Sequence, residues 1–217
     1  MSSSTRNIDL WQGQLHHALS LFVLLLISGL GWTVIGKPSP GLFWLAVSVP
    51  VVHQVYVWLA WRLELKYSYI SKKFSFQLFV IVFFVFFIAR FISLALLGWV
   101  DQGSLGLTMQ IRVSLTVILL IPGLYAMYSV KRYFGLSRAA GADHFMVEYQ
   151  KMPLVKKGIF KYTGNGMYIY AFLLFWTIAV SFNSMAALLV ALFSHVYIWV
   201  HYYCTERPDM NYIYGTQ

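Results

Sequence analysis

Long apolar runs dominate the chain, near positions 16–36, 41–61, 74–100, 109–130 and 166–204. A helix needs about 20 mainly apolar residues to cross the hydrocarbon layer of a bilayer, so each of the first four runs predicts one transmembrane helix. The fifth is too long for one crossing. It breaks at Ser181-Phe182-Asn183-Ser184, where short polar side chains compete for backbone hydrogen bonds and favour a turn, so it predicts a helical hairpin. The fold class expected is all-α: a polytopic membrane protein of about six transmembrane helices with a C-terminal hairpin. Four helices fall in 1–130, and a polar loop plus the hairpin fill 131–217, the two parts making one integrated membrane domain.

Composition agrees with lipid as the main solvent, because 59% of the 217 residues are hydrophobic, 18% are aromatic and only 11% are charged, against about a quarter charged in soluble domains. Sixteen Lys and Arg against seven Asp and Glu give a net charge of +9. In a soluble protein that excess would raise the question of nucleic acid; here its placement argues against such a partner. Arg62, Lys66, Lys72 and Lys73 fall between spans two and three, and Lys131, Arg132, Arg138, Lys151, Lys156, Lys157 and Lys161 fall between spans four and five. The loops around Lys37 and Asp101 carry almost no charge. An excess of Lys and Arg marks the cytoplasmic side, which places both termini and the two basic loops there, and the charge reads as topology plus attraction to anionic lipid. The first apolar run is longer than the 7 to 15 residues of a cleaved signal, so span one is expected to be retained. A lone cysteine, Cys204, leaves neither an internal disulfide nor a thiol metal cluster.

The first three spans, above all Leu78–Ile88, read as generic lipid-facing helices. Chemistry is expected in the polar stretch of about 131–166 and at the C-terminal end. Gly164-Asn165-Gly166 stands just before a helix, where free N–H groups and the positive end of the helix dipole suit a carboxylate or phosphate; an ordinary turn is the alternative. After the hairpin comes His201-Tyr202-Tyr203-Cys204-Thr205-Glu206-Arg207-Pro208-Asp209, a dense set of polar groups at a membrane boundary.

The pairing of Gly158-Ile159-Phe160-Lys161-Tyr162-Thr163-Gly164-Asn165-Gly166-Met167-Tyr168 with Glu206-Arg207-Pro208 through Tyr214-Gly215, one hairpin apart, resembles the phospholipid and isoprenylcysteine carboxyl methyltransferases, over about the last 60 to 80 residues. That resemblance implies S-adenosylmethionine as cofactor, held between the two segments. Many members carry Arg-His-Pro where this chain has Gly164-Asn165-Gly166; Asn165, Met167 and Tyr168 follow the phosphatidylethanolamine N-methyltransferase form. A single carboxylate, Glu206, stands where members have a paired acid.

The residue types suit such a cofactor, whose site needs donors for a carboxylate, an acceptor for ribose or ammonium, and an aromatic wall. Backbone groups of Gly164, Asn165, Gly166 and Met167 are the expected carboxylate cradle, Glu206 the acceptor, and Tyr162, Tyr168 and Tyr202 the wall. An amine acceptor must be neutral to attack, which makes His201 and Glu206 the candidate bases and catalytic residues. His201, Thr205 and Tyr197 share a helix face, with Glu206 about 100° further round. His144, Arg90 and Arg207 are the candidate substrate contacts; Arg90 lies deep in span three, where an ionisable group is a functional suspect by default. His195 is expected to hydrogen-bond a neighbouring helix. His144 and Glu148, one helical turn apart, lack the third and fourth ligands a metal would need, so no metal site is expected.

The function expected is methyl transfer from S-adenosylmethionine to a membrane-embedded amphiphile, with a phospholipid amine headgroup as the leading acceptor and an isoprenylcysteine carboxylate as the alternative. A non-enzymatic scaffold or a transporter is the alternative of another class, although neither internal repeats nor midplane helix breaks appear. A nicotinamide-dependent reductase would need a G-x-G-x-x-G unit, which is missing.

Overall fold

Residues 8–215 are described by the computed structural model, and every regular element among them is helical. In chain order these are α1 (Gln14–Val34), α2 (Pro40–Tyr67), the short α3 (Tyr69–Lys73), α4 (Phe76–Val100) and α5 (Met109–Ser129), which runs on as a π-helical turn, Val130–Phe134. The polar stretch holds only short pieces, among them α6 (Leu136–Ala139), a 3-10 turn at Ala142–His144 and α7 (Val147–Gln150). A π-helical turn, Met167–Ala171, leads into α8 (Leu173–Ser181); α9 (Met185–His201) is followed by a third π-helical turn, Tyr202–Glu206, and by α10 (Arg207–Tyr214).

Five helical stretches, Gln14–Val34, Pro40–Tyr67, Phe76–Val100, Met109–Phe134 and Met185–Tyr214, are long and apolar enough to cross a membrane, and Met167–Ser181 is a shorter apolar one. The six-helix expectation therefore holds with one short member. At 1.5 Å per residue the stretch 167–181 is about 22 Å long. The hydrocarbon layer is about 30 Å thick, so this helix is short of a full crossing and depends on its neighbours.

Those neighbours are fixed at the end where the hairpin turns. Asn183 takes a left-handed backbone conformation, φ 56°, and its amide accepts from Leu107 N at 3.0 Å and donates to Leu107 O at 3.2 Å. Ser184 caps α9 by accepting from Ala187 N at 3.0 Å. One carboxylate oxygen gathers the loop: Asp101 Oδ2 accepts from Ser104 and Ser184 hydroxyls, each at 2.7 Å, and from Ala186 N at 2.9 Å. A carboxylate there also faces the positive end of the α9 dipole.

Between the two ends runs an apolar core drawn from α2 (Phe43, Ala46, Val47), α4 (Leu94, Leu97), α8 (Phe175, Ala179) and α9 (Ala186, Ala187, Val190, Ala191). Five alanines on these helices let backbones approach closely, which favours helix association in lipid. Gly123 does the same between α5 and α8, since a Cβ there would sit 2.8 Å from Leu174 Cδ2. At the basic end α1 is tied to α9 by His17 Nε2 and the Tyr197 hydroxyl, 2.9 Å apart, and to the turn Tyr202–Glu206 by Gln14 Nε2 donating to Thr205 Oγ1 at 3.2 Å. His195 accepts at Nδ1 from Trp176 Nε1 at 3.0 Å, a link between α9 and α8 of the kind expected for it.

Removing the Asp101 carboxylate strands three donors, so Asp101→Ala is expected to lower stability by about 1.5–3 kcal/mol. Thermal unfolding in detergent checks this, with Asp101→Asn, which keeps one acceptor oxygen, losing less.

Candidate functional site

Three helices widen into π-helical turns, and all three do so at the basic end of the bundle: Val130–Phe134, Met167–Ala171 and Tyr202–Glu206. A π turn inserts a residue into the helical ladder and re-aims the side chains around it, and such turns concentrate at functional sites. Val130–Phe134 and Met167–Ala171 supply residues to both of two adjoining cavities, and Tyr202–Glu206 to one of them.

The first cavity, of about 410 Å³, lies at the basic end and is lined among others by Gly164, Asn165, Met167, Tyr168, Tyr202, Glu206, Arg138, Asp143, His144 and Tyr214. The second, of about 110 Å³, runs into the apolar part of the bundle and is lined by His53, Gln54, Phe83, Phe84, Phe87, Arg90, Met127, Phe172 and His201 among others. Trp61, Ala139, Met167 and Tyr168 belong to both linings and form the wall between them.

That wall is held by buried polar pairs. Arg62, on α2 and 1% exposed, forms an ion pair through Nε with Asp209, which has no exposed surface. The other Asp209 oxygen faces His144 Nε2 at 3.4 Å, and the His144 ring stacks on Trp61 with centroids 4.0 Å apart. The Arg62 guanidinium also donates to the backbone oxygen of Asp9. One buried carboxylate thus joins α2, α10, the segment before α1 and the loop after α6. A second cluster closes the far wall of the first cavity: Arg138 donates to Asp143 Oδ2 at 3.4 Å and to Pro153 O at 3.1 Å, and the Tyr214 hydroxyl donates to Asp143 Oδ2 at 2.8 Å. Gly141 has φ 92°, and a Cβ on it would overlap the Trp61 indole, so the loop carrying Asp143 and His144 settles on Trp61 only with glycine there.

Across the cavity the Tyr168 hydroxyl donates to Glu206 Oε2. This contact joins the segment before the hairpin to the segment after it. The Tyr168 ring lies among Trp199, Tyr202 and Phe172, at centroid distances of 5.9, 5.8 and 6.4 Å.

Residues 111–217 match the family model described as phospholipid methyltransferase. Through that segment the chain belongs to the phospholipid methyltransferase family. No curated protein and no solved structure matches it. The family segment begins inside α5 and covers all three π-helical turns, yet the site also takes Trp61, Arg62, His53 and Arg90 from α2 and α4, which lie before it.

Of the residues singled out by sequence, Gly164, Asn165, Met167, Tyr168, Tyr202, Glu206 and His144 line the first cavity, while His201 and Arg90 line the second. Three fall outside both linings: Tyr162 is 72% exposed, Gly166 is buried with its would-be Cβ 2.8 Å from Ile159, and Arg207 is exposed with its guanidinium 5.9 Å from the Tyr203 ring centroid. Asn165 N donates to Thr163 Oγ1 at 3.2 Å, so this one N–H of the expected cradle already has a partner. His144 and Glu148 sit on separate short elements, His144 buried and Glu148 exposed, and do not form the single-helix pair that the spacing suggested.

Two readings of the sequence need correction. Arg62 and Arg138 were counted as loop cations that set topology, but both are buried and paired with acids at the site. The first three spans were read as carrying little chemistry, but α2 and α4 line the deeper cavity. Sequence reasoning also passed over Trp61, Asp143, Asp209 and Tyr214. The available signal was the position of two acids, Asp143 and Asp209, in otherwise basic or aromatic stretches.

Because Asp209→Ala leaves Arg62 buried without its counter-charge, it is expected to destabilise the fold by about 3–5 kcal/mol. Arg207→Ala, two positions away on an exposed face, is expected to leave thermal unfolding unchanged, and the two variants compared in the same detergent check the assignment.

Proposed function

We propose that the chain is an S-adenosylmethionine-dependent methyltransferase that binds its cofactor in the first cavity and methylates a membrane amphiphile presented through the second. The observation that carries this reading is the shared wall at Met167, Tyr168 and Trp61, across which a polar cavity meets an apolar one. The family segment supports a methyltransferase of phospholipid type.

The residues present fit the cofactor. Glu206, with Tyr168 holding one of its oxygens, is the acceptor for ribose hydroxyls or for the ammonium group. Asp143 Oδ1, buried and without a hydrogen-bond partner among the described residues, offers a further acceptor that sequence reasoning had not named. Trp61, Tyr168 and Tyr202 supply aromatic faces, and Gly164 borders open space on the same lining. When bound, the cofactor supplies an electrophilic methyl group on a sulfonium.

Trp61, Met167 and Tyr168 would hold an acceptor atom at the shared wall, facing a methyl group open to in-line displacement. Holding the two partners in line is the main contribution a protein makes to such a displacement. Tyr168 and Met167 form the boundary at which they meet. If the acceptor is an amine, one proton must leave; His201, 2% exposed, lines the acceptor side with both ring nitrogens unpartnered among the described residues, and is the base placed to take it. Glu206 is committed to the cofactor side. A phospholipid amine is the acceptor class in best accord with the family.

The basic end is assigned to the cytoplasm, on the strength of the lysines around it, Lys66, Lys72, Lys73, Lys151, Lys156, Lys157 and Lys161. Residues 8 and 215 belong to that end, and the two termini themselves lie outside the described residues.

Calorimetric titration of the purified protein is expected to give binding of S-adenosylmethionine and of S-adenosylhomocysteine, with none of NADPH. Glu206→Ala is expected to abolish that binding and His144→Ala to leave it measurable. Binding of NADPH alone would overturn the assignment, and equal affinity in wild type and Glu206→Ala would show that the pocket is misplaced.

A further inference from the structure

The deeper cavity carries a charge that the methyl-transfer reading leaves unused. Arg90 lies on α4, 5% exposed, and its Nε and Nη2 have no hydrogen-bond partner among the described residues. Its guanidinium sits 5.1 Å from the ring centroids of both Phe172 and Phe175, and no ion pair links it to any acid among the described residues. Beside it in the cavity lining stands His53, 2% exposed, with both ring nitrogens unpartnered and its ring 4.7 Å from that of Phe83.

A buried cation without a counter-charge is costly in protein and more so at membrane depth. Two phenylalanine faces offset part of this through cation–π attraction, on the order of 2 kcal/mol, and they leave the N–H donors unsatisfied. Donors of this kind, aimed into a cavity, call for an acceptor that enters with a ligand. The guanidinium fork matches a planar or tetrahedral oxyanion and not a second cation. Structural pairing is already provided elsewhere for Arg62 and Arg138, which makes the contrast with Arg90 informative: of these three buried arginines, it alone lacks an acid.

The walls also say where the rest of such a ligand goes. Phe83, Phe84 and Phe87 of α4 face Met127 of α5 across the cavity. Helix α4 packs against α2, α8 and α9, and α5 packs against α8 and its flanking turns, while α4 and α5 barely touch each other. The cavity therefore has an apolar seam along the α4–α5 boundary, toward the surface that carries Ile81, Val85, Ile88, Ile118 and Ile121. His53 lies eight residues before Trp61 on α2, about 12 Å along that helix, and His53, Arg90 and His201 line the one cavity together.

We propose that Arg90, with His53, is an anion clamp for the acceptor: the second cavity takes an amphiphile bearing a phosphate or carboxylate, seats that group on the Arg90 guanidinium, and lets its hydrocarbon leave between α4 and α5. This rests on the reading of the second cavity as the acceptor side. It assigns the holding of the acceptor's acidic group to α4, which lies outside the family segment.

The test uses single-chain probes bound to the full-length protein in maltoside micelles, followed by equilibrium binding of radiolabelled ligand. Dodecyl phosphate and dodecanoate are compared with dodecanol and dodecyltrimethylammonium, and S-adenosylhomocysteine affinity is measured in parallel. Wild type is expected to bind at least one of the anions ten-fold or more tightly than the alcohol and the cation. Preference for phosphate assigns a phospholipid-type headgroup, and preference for carboxylate assigns a lipid acid. Arg90→Met is expected to remove the anion preference while S-adenosylhomocysteine affinity stays within two-fold of wild type, and Arg90→Lys is expected to retain part of it. Equal binding of all four chains by wild type, or an unchanged preference in Arg90→Met, overturns the clamp. The wild-type comparison decides even where Arg90→Met fails to fold. Loss of S-adenosylhomocysteine binding in wild type would instead sink the cofactor reading and leave the anion preference to be judged by its own ratio.

Discussion

Asp209 has no contact with solvent, and its carboxylate faces Arg62 on one side and His144 on the other. A buried charge of this kind persists only where its partners are held in place, and here the carboxylate and its two partners come from three distant parts of the chain. Arg62 belongs to α2, His144 to the polar stretch after α5, and Asp209 to α10, beyond the last long helix. Compensating one carboxylate therefore folds the amphipathic C-terminal helix back onto the bundle and presses the loop with His144 onto Trp61. Without that closure the first cavity would lose the wall formed by His144, Met210 and Tyr214. The other fixed point, Asp101 at the opposite end, does the corresponding task for the hairpin turn. The molecule is pinned at both ends by a single acid each, with an alanine-rich core between them.

What the pinned frame holds apart is as informative as what it brings together. The two cavities share a thin wall of Trp61, Ala139, Met167 and Tyr168; one is lined by Glu206, Arg138 and Asp143, the other mostly by aromatic and aliphatic side chains. A polar cofactor and an apolar acceptor have opposite solvent preferences, and a reaction between them needs a place where both are at home within bonding distance. The three π-helical turns occur at this level because regular α-helices would not aim Tyr168, Glu206 and Phe134 into the same space. Tyr168 has the central place, with its ring in the wall and its hydroxyl on Glu206.

Much of this was legible from sequence. The span count came from run length, and the hairpin break from Ser181 to Ser184, with Asn183 in the left-handed region as a turn requires. The two segments flanking the hairpin are legible as one site through their resemblance to the phospholipid methyltransferases, and Asn165 and Glu206 do line one cavity. Other features had no local signature. Arg62 reads as a topological charge at the end of an apolar run, and only the return of α10 turns it into the partner of Asp209. Phe83, Phe84 and Phe87 read as lipid-facing because a phenylalanine run looks the same whether it meets lipid or an internal cavity. The π-helical turns depend on tertiary crowding that no single stretch encodes. Arg207 and Tyr162 show the opposite failure: residue type and neighbourhood suited the site, while Arg207 lies on the exposed face of α10 and Tyr162 in an exposed turn.

The central claim is that the segments before and after the hairpin jointly hold one methyl donor. Ultraviolet crosslinking of methyl-labelled S-adenosylmethionine to the purified protein, followed by peptide mapping, tests it most directly. Label is expected on the peptides containing Gly164–Tyr168 and Tyr202–Tyr214, and excess S-adenosylhomocysteine is expected to suppress it. Label confined to peptides from 76–129, or label that S-adenosylhomocysteine leaves untouched, would contradict the account.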